Sequence, residues 1–395
     1  MHNKKRILFV IDSLACAGAE KSLVTLLSLL NYEKYEVDLQ LFNYGGELEE
    51  LVPEQVNMLP PLQYMDHAKK NLVNSLISTP FKHSVARIQY SYKLRVKKAD
   101  NITKARLFWE SAGKIIPENP TLYDTAIAYA QGVPTFYVSE KIQALKKIAW
   151  VNVSYYLKDV NKIFQEKHYN NFNAIVAVSD TAKDIFQKNN LDIKGNLEVI
   201  YDINNPALIN QMADSGKGYS DGFTGIKILT IGRLARQKGY DIALEACALL
   251  KKEGVNFRWY VLGKGPLEEE IKSKIIELNI EKEMVLLGVK SNPYPYIKEA
   301  DIYVQTSRFE GFGIALAEAR ILNTPIVTTC FDAVESQMKH NKNGIIVDME
   351  PEAVYEGIKK LIEDSALHKK IIRYQKHEAK GNIEEIKKFY ELIEV

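Results

Sequence analysis

Short apolar runs alternate with amphipathic helical stretches along almost the whole chain, and this alternation narrows the folds open to it. Residues 7–11, ILFVI, read as a buried strand that ends at Asp12. Leu23, Leu26, Leu27 and Leu30 follow at helical spacing. Residues 37–42, 125–128, 148–151 and 175–178 are further strand candidates in the first half. Residues 228–231, 259–262, 285–287, 302–304, 325–327 and 345–347 fill that role in the second, with helical patterns over 241–252 and 267–278 between them. Strands that alternate with helices build parallel sheets covered on both faces. The expected class is therefore α/β, with doubly wound parallel sheets.

A length of 395 residues suits two domains of ordinary size. The break falls within residues 201–225, a polar, turn-rich stretch with one short helical pattern at 207–213. The expected division is a first domain over 1–203, a second over 204–376 and a C-terminal helix over 377–395. No apolar run reaches the ~18–20 residues that cross a bilayer. The basic N-terminus leads into the first strand, so it is not read as a signal peptide. Cys16, Cys247 and Cys330 lack metal-ligand spacing and fit a reduced, cytoplasmic compartment.

The net charge of +2 argues against a nucleic-acid partner. Residues 67–114 depart from that balance, with eleven Lys or Arg and only the acids Asp100 and Glu110. Apolar residues such as Ile88, Tyr92 and Leu94 lie among the bases. Such a segment attracts anionic partners, and an anionic membrane surface is the expected one.

The chemistry is expected at the carboxyl ends of the strands, where open parallel sheets bind ligands. The most informative segment is Ser307-Arg308-Phe309-Glu310-Gly311-Phe312-Gly313-Ile314-Ala315-Leu316-Ala317-Glu318. It follows a strand, turns through two glycines and starts a helix. Glycines let backbone approach a ligand closely, and amides at a helix start suit a diphosphate. Glu310 and Glu318 supply carboxylates that accept hydrogen bonds from hydroxyl groups. Gly232-Arg233-Leu234-Ala235-Arg236-Gln237-Lys238-Gly239 follows another strand, and its Arg233 and Lys238 suit phosphate oxygens. Ala17-Gly18-Ala19-Glu20 follows the first strand. No Asp-x-Asp occurs to hold a metal–diphosphate, and fixed cations with a helix dipole can replace it. The absence of G-x-G-x-x-G after the first strand argues against a dinucleotide oxidoreductase, and no P-loop is present.

These motifs resemble the retaining glycosyltransferases of family 4, also called group 1, over nearly the whole chain and most strongly over 226–347. The E-x7-E pair Glu310 and Glu318, the loop with Arg233 and Lys238, and the turn Gly18–Glu20 bear the likeness. Leu287-Gly288-Val289 and Asn292-Pro293-Tyr294 resemble the family's base-side loop. Two departures stand out: Ala17-Gly18 replaces a glycine pair, and Asn152 stands where relatives commonly have His.

The resemblance implies a GT-B architecture, two Rossmann-like domains facing a central cleft. It implies that Glu310 and Asn152 meet the transferred sugar and that Glu318 meets the ribose hydroxyls. Arg233 and Lys238 would hold the diphosphate, Gly313 and Ile314 would offer it amides, Gly18 would approach the donor, and Val289 would lie near the base. The implied reaction moves a hexosyl or N-acetylhexosaminyl group from a nucleotide sugar, UDP-linked by the family's commonest habit, to a glycan or lipid-linked glycan. Anomeric configuration would be retained, no metal or other cofactor is expected, and the setting would be surface polysaccharide synthesis. A nucleotide-sugar 2-epimerase and an inactive partner of another transferase are the alternatives. The expected location is cytoplasmic, peripheral on the inner face of a membrane.

Overall fold

The computed structural model of the chain describes residues 4–15, 18–65, 81–96, 100–152, 157, 159–189 and 191–394. Much of the basic segment, with Lys69, Lys70, Lys97 and Lys98, lies outside these residues, as does Cys16.

Two compact units form. The first runs to Tyr201 and regains the chain from Glu384; the second comprises Asp202–Ile383, with Gly18 grouped to it. The first holds a seven-stranded sheet in the order β3-β2-β1-β4-β5-β6-β7. Its strands are β1 (Lys5–Ile11), β2 (Tyr35–Leu41), β3 (Val56–Met58), β4 (Leu122–Ala128), β5 (Gln143–Val151), β6 (Ala174–Ala177) and β7 (Asn196–Val199). The second holds a six-stranded sheet in the order β10-β9-β8-β11-β12-β13. Its strands are β8 (Ile226–Ile231), β9 (Phe257–Leu262), β10 (Met284–Gly288), β11 (Ile302–Gln305), β12 (Ile326–Thr329) and β13 (Ile345–Val347). Neighbouring strands in both sheets run parallel. In each sheet the order reverses beside its first strand, at β1/β4 and at β8/β11. Such reversals open a crevice at the carboxyl edge.

The central strands are apolar because helices cover both faces. Leu8, Phe9 and Val10 of β1 are fully buried, as are Ile228 and Leu229 of β8. In the second unit two apolar clusters lie on opposite faces: Trp259 and Val261 of β9 join one, and Tyr260 and Leu262 the other. Trp259 donates to Thr230 Oγ1 at 2.9 Å, and that hydroxyl donates to the Val304 carbonyl at 2.7 Å. The indole nitrogen is therefore satisfied without disturbing the ladder.

β3 and β7 are absent from the strand candidates read in the sequence. β3 has three residues and β7 alternates exposed and half-buried positions, so neither presents an apolar run. The last helix, Glu385–Glu394, packs in the first unit: Phe389 stacks on Phe9 with ring centroids 6.0 Å apart, and Tyr390 on Tyr35 at 5.8 Å. Residues 378–383 stay with the second unit, where Glu378 pairs with Arg320 at 3.1 Å and Asn382 Oδ1 accepts from the Asn204 amide at 2.9 Å.

Candidate functional site

The loops after β8 and β11 meet at the second sheet's strand reversal, and hydrogen bonds join them closely. The β8 loop closes with a single 3-10 turn, Arg236–Lys238, and then Gly239 at φ +62°. A Cβ on Gly239 would lie 2.1 Å from the Thr306 carbonyl oxygen, so only glycine lets the loops approach this closely. The Thr306 hydroxyl donates to the Lys238 carbonyl at 2.8 Å, and the Arg308 amide to the Gln237 carbonyl at 2.8 Å. Gln237 Nε2 donates to the Phe309 carbonyl at 2.9 Å. Arg308 forks onto Asp241 at 2.8 and 2.6 Å, and its guanidinium holds that carboxyl below the usual range.

This stitching brings Lys238 to Glu310. Glu310 Oε1 receives Lys238 Nζ at 2.5 Å, Ser307 Oγ at 2.5 Å and Gln305 Nε2 at 3.3 Å. Glu310 Oε2 has no hydrogen bond among the described residues. One oxygen is thus clamped by three donors while the other is left to accept, which orients the carboxylate without saturating it. The Glu310 side chain is 7% exposed and Lys238 20%, so solvent screens the pair only in part. Tyr240 lies behind it and donates to the Gly232 carbonyl at 2.8 Å. Burial first, and the Glu310 charge second, push its phenol well above the usual range.

Gly313 sits at φ +83° and opens the helix Ile314–Ile321. The Leu316 and Ala317 amides donate to the Gly313 carbonyl at 3.0 and 3.2 Å, and the amides before them have no intrahelical acceptor, the usual makings of an anion site. Arg233 is exposed and makes no ion pair or side-chain hydrogen bond among the described residues. Ile314 is half-buried at the helix start. Val289 is half-buried directly after β10.

Glu318 lies inside the helix Ile314–Ile321. It is 1% exposed, and its Oε1 accepts from Tyr294 OH at 3.0 Å. Tyr294 begins the short helix Tyr294–Glu299 after the loop that holds Val289. Glu318 therefore braces that loop through the tyrosine. The sequence motif located Tyr294 but not this bond, which joins two helices through side-chain packing.

The remaining sequence-predicted residues lie elsewhere. Asn152 follows β5 in the first unit, and its Nδ2 donates to the Tyr129 carbonyl at 2.7 Å. Its Oδ1 is buried with no hydrogen-bond partner among the described residues. The Tyr129 ring stacks on Trp150 at 4.7 Å, and its hydroxyl lies 2.9 Å from Ser22 Oγ. Gly18 is exposed and opens the helix Gly18–Ser28. Asp12 follows β1, and burial raises its carboxyl to about 7. Sequence reasoning passed over Asp12 as the mere end of a strand; an acid immediately after an apolar run is the one signal that could have marked it. Gln305, which helps orient Glu310, was also missed although it stands five residues away, and Ser307 opened the segment read in the sequence without being given a role.

Among the described residues, no three His, Cys, Asp or Glu side chains are grouped to hold a metal ion. No helix of those residues is long and apolar enough to cross a membrane.

Residues 223–378 match the family model described as glycosyl transferases group 1. Over 388 residues, and 94% of both chains, the protein is 26% identical to N-acetylgalactosamine-N,N'-diacetylbacillosaminyl-diphospho-undecaprenol 4-alpha-N-acetylgalactosaminyltransferase of Campylobacter jejuni. Over 127 residues, 30% of this chain and 31% of the relative, it is 32% identical to the amylovoran biosynthesis glycosyltransferase AmsK of Erwinia amylovora. The fold matches the Anabaena protein HepE, solved in complex with UDP and glucose, with a TM-score of 0.68 at 16% identity over 99% of both chains. It also matches TarM, with a TM-score of 0.66 at 14% identity over 100% of this chain and 99% of that one. The fold is GT-B: two Rossmann-like parallel-sheet units.

Proposed function

We propose that this chain, as a member of the group 1 glycosyltransferases, moves a sugar from a UDP-linked donor to a hydroxyl of a glycan or lipid-linked glycan, with retention and without a metal. The observation that carries the reading is the Glu310 clamp. Lys238, Ser307 and Gln305 hold one carboxylate oxygen at the strand reversal while the other stays available. The same two loops hold Arg233, which makes no ion pair or side-chain hydrogen bond among the described residues, and the helix that Gly313 opens. The UDP complex of HepE and the undecaprenol-linked acceptor named for the Campylobacter relative support the choice of donor and acceptor.

In this reading, Arg233, Lys238 and the amides at Gly313 and Ile314 offset the charge that grows on the departing diphosphate. Glu310 Oε2 accepts from a sugar hydroxyl and places a negative charge near the anomeric carbon as positive charge develops there. Glu318 meets the ribose, and Val289 borders the base. The acceptor hydroxyl attacks from the face that the diphosphate leaves, and its proton passes to a leaving-phosphate oxygen. The protein's work is then positioning and charge stabilisation. Asn152 contributes an amide to the sugar in place of an imidazole.

The described part of the basic segment supports peripheral attachment to an anionic membrane. On the helix Phe81–Val96, Lys82, Val85, Ile88, Tyr92 and Arg95 share an exposed face, with Ile88 55% and Tyr92 68% exposed. An apolar centre with basic ends suits the boundary of an anionic bilayer.

The test is release of UDP from a panel of UDP-sugars, with and without a lipid-linked glycan extract. Acceptor-dependent release with a new α-linked product supports the reading. A second sugar isomer from donor alone would replace it with an epimerase, and donor binding with neither transfer nor hydrolysis would replace it with an inactive partner.

A further inference from the structure

Gln337 stands behind the glycine turn of the candidate donor site, and neither the sequence motifs nor the family likeness picked it out. It follows the 3-10 turn Val334–Ser336 and is 6% exposed. Its Nε2 donates to the Phe312 carbonyl and lies 3.6 Å from where a Cβ on Gly313 would stand. Its Oε1 is buried with no hydrogen-bond partner. Among the described residues this acceptor is orphaned, which costs about 1–3 kcal/mol, so its presence beside the candidate donor turn asks for a reason.

Side chains behind it hold Gln337 in place. Its carbonyl accepts from Asn343 Nδ2 at 2.9 Å, and the same nitrogen donates to Glu378 Oε2 at 3.1 Å. Asn343 Oδ1 accepts from the Lys339 amide at 2.7 Å, and the Asn343 carbonyl accepts from Gln375 Nε2 at 2.8 Å. Asn343 and Gln375 are fully buried. This network fixes the backbone that bears the glutamine. The glutamine amide in turn fixes the carbonyl that precedes Gly313, and so the direction of the amides that follow it.

We propose that Gln337 is a positioning and sugar-selecting residue of the donor site, holding the Phe312–Gly313 turn through Nε2 and accepting, through Oε1, a hydrogen bond from an O–H or N–H group of the transferred sugar. The proposal rests on the nucleotide-sugar reading above. The chemistry of Oε1 sets the ligand atom: a carbonyl oxygen only accepts, so it cannot serve the diphosphate and requires a donor group. The turn that must carry the sugar to it has glycine at 311 and 313. A site that leaves its own acceptor unpaired without the sugar discriminates strongly against ligands that lack the matching group.

The experiment compares wild type with Gln337→Met, which keeps length and packing but removes both hydrogen bonds. Calorimetry gives the affinities for UDP, UDP-glucose and UDP-N-acetylglucosamine, turnover is measured with the best of them, and thermal unfolding is followed in parallel. The expected result is a loss of about ten-fold in kcat/KM, falling mainly on kcat, with UDP affinity within about three-fold of wild type. The preference between the two sugar donors should also narrow. Equal losses for UDP and both UDP-sugars, or a lowered unfolding temperature with unchanged preference, would overturn the proposal and leave a packing role. Gln337→Glu serves as a second variant: it keeps an acceptor, cannot donate to Phe312, and should retain more sugar preference than Gln337→Met. Wild-type protein that binds UDP-sugars without turnover sinks the functional reading, while the affinity ratios still decide the role of Gln337.

Discussion

Lys238 Nζ lies 2.5 Å from Glu310 Oε1, although 72 positions separate the two residues in the chain. The lysine lies in the loop after β8 and the glutamate in the loop after β11, so the pair exists only because β8 and β11 are neighbours. The ammonium that would meet a diphosphate therefore also aims the carboxylate that would meet the sugar.

Glu310→Ala should lower kcat by about 10²-fold or more while the donor KM stays within a few-fold, because the carboxylate matters most as positive charge develops on the sugar. Lys238→Met should lower kcat and weaken UDP binding together, since it removes a phosphate contact and loosens Glu310. Effects of the two substitutions should fall short of additivity in a double-mutant cycle. Steady-state kinetics check all three, and a Glu310→Ala enzyme near wild-type turnover would remove Glu310 from the mechanism.

Gly239→Ala and Gly313→Ala should differ sharply. At Gly239 the new methyl would lie 2.1 Å from the Thr306 oxygen and the backbone holds φ +62°. At Gly313 the nearest neighbour is 3.6 Å away, so only the φ of +83° resists the change. Gly313→Ala should cost about 1–2 kcal/mol of stability from left-handed strain alone. Gly239→Ala should cost more than that, because a loop must also move. Urea unfolding of both variants measures the order directly.

Asp12 makes stability depend on pH in a defined direction. Burial raises its folded-state value to about 7 from 3.8, so the native state favours the protonated carboxyl. The stability it contributes is complete below about 4 and is lost as pH rises through about 7. Asp12→Asn stays neutral throughout, so it should be more stable than wild type at pH 8, with the advantage vanishing towards pH 4. Melting temperatures of both proteins across that range are the check, and a difference that is flat with pH would refute the assignment.

Transfer activity should survive EDTA in full. In the proposed reading, the fixed cations Arg233 and Lys238 and the helix start at Ile314 would take the place of a metal in offsetting the diphosphate charge. Assays with chelator, then with magnesium or manganese restored, read this out. Loss and recovery of activity would place a metal in the reaction.

The chain should sediment with anionic vesicles at low salt and release as salt rises, with each basic residue at the surface worth about 1 kcal/mol. Replacing the exposed Ile88 and Tyr92 with Asp should weaken sedimentation without changing UDP affinity. Binding to neutral and anionic vesicles alike, or to neither, would count against the charged helix as the contact.

The sequence alone carried what is local. A run such as Ile7–Ile11 is apolar because helices cover both sides of β1, and Leu23, Leu26 and Leu27 keep helical spacing because one face of their helix is buried. Period and burial are written into neighbouring residues, so eleven strands, the two-sheet class and the Glu310 loop could be read directly. Edge strands β3 and β7 could not, since half-exposed backbone makes no demand for an apolar run. Only the tertiary structure decided which loops meet. The strand order brought Lys238 onto one oxygen of Glu310, buried Glu318 under Tyr294, and set Gln337 behind Gly313. It also returned the helix Glu385–Glu394 to the first unit, where Phe389 meets Phe9. Such contacts join residues tens to hundreds of positions apart, and a side chain's own neighbours in sequence hold no record of the partner that packing will bring to it.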